Sequence, residues 1–334
     1  MTIDLVPIWT LILAMSVFMY VLLDGFDLGV GMLFPFAADD ASRTLIMNSV
    51  APIWDGNETW LVMGGIGLFA AFPLAFAIII PAVYYPILVM LLGLIFRGVA
   101  FEFRLKSPRR RYLWDHAFFF GSLFATFAQG VVLGSFVRGF EVRDNQFAGS
   151  IYDWLSPFPL AVGVGLVFGY LLLGATWLVM KTEGDLQQWA RKWARVGLAG
   201  VIAFIAMVSV WTPLFDERIA QRWFSFPNML YLAPMPLLTG VLALWLWQAL
   251  RSGREAAPFF AAMGLFLMCF LGLAISLWPH IVPPSITLWD AAASSKSQAF
   301  LLVGTLFLLP IIVGYTGWSY YVFRGKVRAD AGYH

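Results

Sequence analysis

One feature recurs along the whole chain: unbroken apolar runs of 18 residues or more, separated by short polar segments. A run of that length, wound as a helix, crosses the roughly 30 Å of bilayer hydrocarbon. Inside hydrocarbon a backbone satisfies its own N–H and C=O groups only as helices or as a closed barrel. Only 12% of the residues are charged and 61% are hydrophobic, whereas soluble domains carry about 25% charge. The 334 residues therefore read as an all-α polytopic membrane protein.

Nine runs qualify as spans: residues 7–36, 54–80, 81–104, 113–136, 157–180, 195–215, 228–250, 258–279 and 298–323. The second and third meet at Ile80–Pro81 in a tight turn, and Pro310 is expected to bend the ninth. Lys and Arg concentrate in cytoplasmic loops. One set of loops, from Arg43 to Arg328, holds fifteen basic residues. The opposite set holds five (Arg138, Arg143, Arg218, Arg222 and Lys296), and Arg97 lies within the third span. This asymmetry places the N-terminus outside and the C-terminus in the cytoplasm. The net charge of +2 thus reports orientation and does not point to a nucleic-acid partner. Cys269 is the lone cysteine, so no intrachain disulfide forms. Met1–Pro7 lacks a basic n-region, so no removable signal peptide is expected.

Topology gives the acids a depth. Asp24 and Asp27 fall in the cytoplasmic half of the first span, and Asp55 and Glu58 in the first turns of the second. Arg97 and Glu102 end the third, and Asp115 begins the fourth. Six carboxylates and one arginine gather at one level, while the later spans are apolar throughout. The pairs Asp24/Asp27 and Asp55/Glu58 are each three apart and share a helix face. Arg97 and Glu102 are five apart and do not, so Arg97 is expected to pair with a carboxylate on another helix. Gly25 and Gly29 form a small-xxx-small face that admits a neighbouring helix.

A charge at mid-membrane costs about 3 kcal/mol on insertion scales and needs a partner or water. One arginine cannot neutralise six acids, so several are hydrated, hydrogen-bonded or protonated. Three readings are open. A string of such carboxyls opening to one face suits a proton path, with Arg97 as counter-charge. Carboxylates and amides such as Asn57 also suit a cation site, as in a proton- or cation-coupled transporter. The same groups could instead cap helices and tie four spans together; Asp55 sits where an N-cap or first-turn acid is favoured. Of the three histidines, His116 and His280 lie at span ends and His334 is the last residue, which makes the chain a poor heme protein. Trp9, Trp54, Trp211 and Trp278 read as interfacial anchors. Residues 278–290, WPHIVPPSITLWD, form an outer connection that cannot be helical through Pro283–Pro284, either a rigid loop or a docking surface.

The motifs LDGFDLGVGM (23–32), NSVAPIWDGNETWLV (48–62), LFAAFP (68–73), FRGVAFEFR (96–104), Trp114–Asp115 and PPSITLWDAAASS (283–295) run in order along nearly the full chain. In these the sequence resembles subunit II of the cytochrome bd quinol oxidases, and its compact length is similar to the branch called cyanide-insensitive. The resemblance implies two four-helix bundles plus one peripheral helix, over residues 1–145, 146–284 and 285–334, in the bacterial inner membrane. It implies a heme-carrying subunit I that holds two b-type hemes and heme d, oxidises quinol and reduces O2 to water. Protons for that reaction come from the cytoplasm and generate proton motive force. This chain would carry no heme, would support subunit I and would contribute a proton path. The family's acidic positions map onto Asp27, Asp55 and Glu102, with Glu58 standing where some members have Gln. Small single-helix accessory subunits, bound membrane lipids and a structural quinone are further features of parts of the family. The chain alone would not be catalytic.

Overall fold

A computed structural model of the chain describes residues 4–327; the expectations attached to Arg328 and His334 lie outside them. Helix α1 (Val6–Leu33) opens with Pro7 in its first turn and closes in a 3₁₀ turn at Phe34–Phe36, where Pro35 ends the α-helical ladder. The short α2 (Asp40–Asn48) starts at Asp39, whose carboxylate accepts from the Ser42 backbone N–H at 2.7 Å. Then follow α3 (Trp54–Ala71), α4 (Pro73–Ala82), α5 (Tyr84–Lys106) and α6 (Arg111–Arg138). The second part comprises α7 (Pro157–Lys181), α8 (Gly184–Phe215), α9 (Glu217–Phe224), α10 (Asn228–Leu232), α11 (Pro234–Arg251) and α12 (Ala257–Leu277). The four-residue α13 (Leu288–Ala291) and the long α14 (Ser295–Val322) complete the chain.

Eight helical segments among the described residues are long and apolar enough to cross a membrane. The exception to the sequence expectation is the second span. It does not run unbroken from Trp54 to Ile80 but stops at Phe72, which sits at φ −133°, ψ 61° between α3 and α4. Pro73 has no N–H to extend the ladder and instead starts a new helix. The next turn lies at Val83, not at Ile80–Pro81, because Pro81 is carried inside α4. Helix α8 begins at Gly184, well before the expected Arg195, since nothing between them breaks a helix while Ala190 and Ala194 supply a buried face. The seventh span is two helices that meet at Ala233–Pro234. Pro310 sits inside an uninterrupted α14.

α1 packs on α3 and α6, and α5 packs on α6; α7 packs on α8 and α12, and α11 on α12 and α8. α7 also crosses α1 and α6, which joins the two groups. The α1–α7 crossing depends on glycine: a Cβ on Gly29 would stand 1.8 Å from the Tyr170 carbonyl oxygen. α14 lies chiefly against α3 and leaves much of its surface open; Phe300 is 80% exposed. At the N-terminal end of α1, α4 packs against the hairpins β1–β2 (Val142–Arg143, Gln146–Phe147) and β3–β4 (His280–Val282, Ile286–Thr287) and against α13. Residues 278–290 are thus a hairpin and a helical turn seated on α4, with Phe140 N–H donating to the Pro283 carbonyl at 2.9 Å.

Of the tryptophans read as interfacial anchors, Trp9 is packed inside the chain and Trp54 is half-buried. Trp9 is 3% exposed and donates Nε1–H to the Gln298 carbonyl at 3.2 Å. Trp54 stacks on Phe101 at 5.0 Å between ring centroids. Aromatic rings at span ends fill helix junctions as readily as they face headgroups.

The C-terminal ends of α7 and α14 and the connection before α12 are tied by polar bonds that involve the chain's last described residues. Lys181 Nζ donates to the Phe323 carbonyl at 2.6 Å, and Val327 N–H to the Lys181 carbonyl at 2.8 Å. Lys326 Nζ lies 2.8 Å from Glu255 Oε2, while Gln187 Nε2 donates to Glu255 Oε1 at 3.1 Å. Hydrogen bonds from Lys326 and Gln187 hold the Glu255 carboxyl below the usual carboxylate range. A depressed folded value means the contact stabilises docking above the ordinary range and is lost as pH falls through the depressed value. Amide exchange at Val327, corrected for intrinsic rate, is expected to stay protected down to about pH 5 and to lose protection below about pH 4. Protection that is flat through that window would remove Glu255 from the docking contact.

Candidate functional site

The site grows from α1. Asp24 and Asp27 project from one face of this helix, and both are wholly buried. Arg97, on α5, is equally buried and lies between α1 and α3. Its Nη1 donates to Asp24 Oδ1 at 2.5 Å and its Nη2 to Glu58 Oε2 at 2.7 Å. One guanidinium therefore fastens three helices, in the fork geometry that carboxylates match. The guanidinium also lies 5.6 Å from the Trp54 ring centroid, which covers it from α3.

Asp27 makes no bond to Arg97. Its Oδ2 accepts from Asn57 Nδ2 at 2.7 Å, and Asn57 Oδ1 accepts from the Tyr320 hydroxyl at 2.8 Å. This places α14 in the site and makes a three-residue chain across α1, α3 and α14. On the other side of Asp24, one turn along α1, the Tyr20 hydroxyl accepts from Gln129 Nε2 at 2.7 Å. Gln129 Oε1 in turn accepts from the Tyr170 hydroxyl at 2.9 Å. Asp24 Oδ2, Asp27 Oδ1 and the Ser122 and Thr126 hydroxyls are buried without a protein partner, so polar surface continues between α1 and α6.

The expected residues thus fall into three places. Asp24, Asp27, Glu58 and Arg97 come together, and Arg97 does pair across helices. Asp55 is exposed in the first turn of α3, caps nothing through its side chain, and makes no hydrogen bond or ion pair to that cluster. Glu102 points outward from α5 and pairs with Lys106 at 3.0 Å. Asp115 belongs to a second centre that sequence reasoning did not find. There the buried Arg104 donates Nε–H to Asp115 Oδ1 at 2.6 Å and Nη2–H to Asp40 Oδ1 at 2.6 Å, over the face of Phe34. Arg111 donates to Asp40 Oδ2 at 2.6 Å, and Arg43 stands 3.7 Å from Asp115. The single buried arginine expected from sequence is therefore one of three among the described residues, with Arg104 and with Arg191 on α8. Arg104 looked like a loop cation because it ends a span; α2 folds back over it and closes it off. Asp40 carries no sequence signal, since its partner lies 64 positions away. The Tyr20–Gln129 contact had a faint one: Gln129 is an amide in mid-span, and Tyr20 lies four residues before Asp24.

Chemically, three carboxyls facing one guanidinium can take up and release protons without burying a large net charge. Neither described histidine bonds to the carboxyl cluster. His116 is exposed, with Nδ1 2.6 Å from the Tyr112 carbonyl, and His280 sits in the β3–β4 hairpin. No cluster of three metal-ligating His, Cys, Asp or Glu side chains occurs among the described residues.

Comparison with known proteins points to one family. The family model described as "Cytochrome bd terminal oxidase subunit II" matches residues 5–323. The "Cytochrome bd-I ubiquinol oxidase subunit 2" of Escherichia coli (strain K12) is 32% identical over 361 aligned positions, covering 97% of this chain and 95% of that protein. The "Cytochrome bd ubiquinol oxidase subunit 2" of Bacillus subtilis (strain 168) is 32% identical over 335 positions, covering 96% of each. In fold, the chain superposes on a chain of the bd oxidase from Geobacillus thermodenitrificans with a TM-score of 0.77 at 18% identity, covering 96% of this chain and 99% of that one.

Proposed function

The chain belongs to the subunit II family of the cytochrome bd terminal oxidases, and from that premise we propose that its buried carboxyl cluster conducts protons from the cytoplasm toward the oxygen-reducing site of a partner subunit. The chain is a multi-pass protein of the bacterial cytoplasmic membrane and a subunit of a quinol:O2 oxidoreductase. The family assignment favours this reading over a coupled transporter. Subunit I is the partner. The two b-type hemes and heme d are assigned to it; those hemes would supply the redox chemistry. Nine spans, an N-terminus outside, division into residues 1–145, 146–284 and 285–334, a structural quinone and single-helix accessory subunits belong to the same proposal.

The observation that carries the reading is the Asp24–Arg97–Glu58 junction with Asp27 beside it, bonded to Asn57. Arg97 fixes Asp24 and Glu58, and Asp27, free of Arg97, is the carboxyl best placed to exchange a proton. Asp55 and Glu102 stand on the open faces of α3 and α5, where a partner subunit can receive a proton from them. Asp115, salt-bridged to Arg104, acts as an anchor at the cytoplasmic rim. In membranes that contain the assembled oxidase, Asp27→Asn and Asp55→Asn are each expected to slow quinol-dependent oxygen uptake by about tenfold or more, as loss of a proton-transferring group does. Full turnover in a variant with undiminished complex content would remove that residue from the path.

A further inference from the structure

Asp27 is wholly buried, and its one amide partner, Asn57, is held by Tyr320. Where Asn57 meets α14 there is a small cavity about the size of one water, lined by Gly56, Asn57, Thr316, Ser319 and Tyr320 among others. Its lining is mostly polar, although α14 elsewhere turns apolar side chains outward. Thr316 Oγ1 is buried at this seam and has no protein hydrogen-bond partner. A side-chain hydroxyl in a span ordinarily returns its hydrogen to the carbonyl four residues earlier, as Thr305 does to Leu301. Thr316 does not, so its hydroxyl is free for a water. A polar pocket with two to four partners is the setting in which a buried water is stable.

Several features make the seam passable. Among the spanning helices α14 packs chiefly on α3, and much of its surface is open. Gly56 is the small residue opposite Tyr315: a Cβ there would already touch that ring at 3.4 Å. Tyr320 has a double attachment, its hydroxyl on Asn57 and its ring edge-on to Phe26 and Trp177. We propose that the α3–α14 seam is a water port serving the carboxyl cluster, that Thr316 and Ser319 line it, and that Tyr320 is the positioning residue that keeps the Asn57 amide turned toward Asp27. This rests on the proton-path reading above and gives that path its mouth.

The test is thiol accessibility in the assembled oxidase, in a Cys269→Ser background, because a charged methanethiosulfonate reacts with thiolates and thiolates form only where water reaches. Thr316→Cys and Ser319→Cys are near-isosteric, and Phe307→Cys, on the open face of the same helix, is the lipid-facing control. Reagent added on the side of the C-terminus is expected to label positions 316 and 319 about tenfold or more faster than 307. Labelling of neither above the control would overturn the port, whatever the oxygen-uptake rates. Labelling of both, with Asp27→Asn at full turnover, would keep the port and sink the proton-path reading instead. For Tyr320, Tyr320→Phe keeps the ring and removes the hydroxyl. A changed pH profile of oxygen uptake at normal complex yield supports the positioning role, and an unchanged profile refutes it.

Discussion

Arg97→Leu is expected to leave no assembled oxidase in the membrane. The substitution keeps an apolar side chain in place but strips the counter-charge from Asp24 and Glu58, which lie 2.5 Å and 2.7 Å from the guanidinium. Breaking a buried pair by removing one partner costs about 3–5 kcal/mol, because the other charge stays buried. Here two carboxyls are orphaned by one change, and three helices lose their common fastening. Native gels and immunoblots of both subunits measure the outcome. Arg97→Lys should recover part of the yield, since it restores charge but cannot fork between α1 and α3. The double variant Arg97→Gln with Asp24→Asn should recover more than Arg97→Gln alone, because a neutral hydrogen-bonded pair needs no counter-charge. Normal yield for Arg97→Leu would show that the junction is not what holds the first group of helices together.

Gly29→Ala is expected to be nearly as damaging, although it adds one methyl group. That methyl would stand 1.8 Å from the Tyr170 carbonyl oxygen and 2.9 Å from the Gly174 nitrogen, both backbone atoms of α7. No rotamer relieves a contact with backbone, so α1 and α7 must separate. Overpacking of a fitted core typically costs about 1–3 kcal/mol and more where backbone moves. The crossing joins the two groups of helices, and Tyr170 also closes the hydrogen bonds to Gln129 and Tyr20. The thermal transition of the purified oxidase should therefore fall markedly. Gly65→Ala is the control: a Cβ there meets nothing within 4 Å, and alanine is the better helix former by about 1 kcal/mol. Equal stability of the two variants would mean that the crossing is looser than drawn.

Much of the site was legible because charge in hydrocarbon is costly and therefore rare. Asp24, Asp27, Glu58 and Arg97 stood out on those grounds, and helix geometry already excluded Arg97–Glu102 as a pair. Arg104 did not stand out, because a cation at a span end is ordinary until α2 is seen folded over it. The burial of Trp9, and of Arg97 beneath the Trp54 ring, depends on which helix happens to face them. Nor could hydropathy detect the break at Phe72: Leu68–Ala82 is apolar throughout, and only the missing N–H of Pro73 marks the joint.

The sequence by itself determined that the chain crosses a membrane many times as helices, and that Asp24, Asp27, Glu58 and Arg97 are charges its helices must satisfy among themselves. Both follow from properties of single segments: length, hydropathy and the cost of a buried charge. Only the tertiary structure decided which acid meets which base. It set Asp24 and Glu58 on Arg97, Asp40 and Asp115 on Arg104, Asp27 on Asn57, and it left Asp55 and Glu102 facing outward. It also brought Tyr320 and Thr316, from the last helix, to Asn57, the amide that holds Asp27. The physical reason is that a hydrogen bond depends on a few tenths of an ångström and on direction. Those are fixed by how helices rotate and cross at glycines such as Gly29 and Gly174, which no single segment encodes.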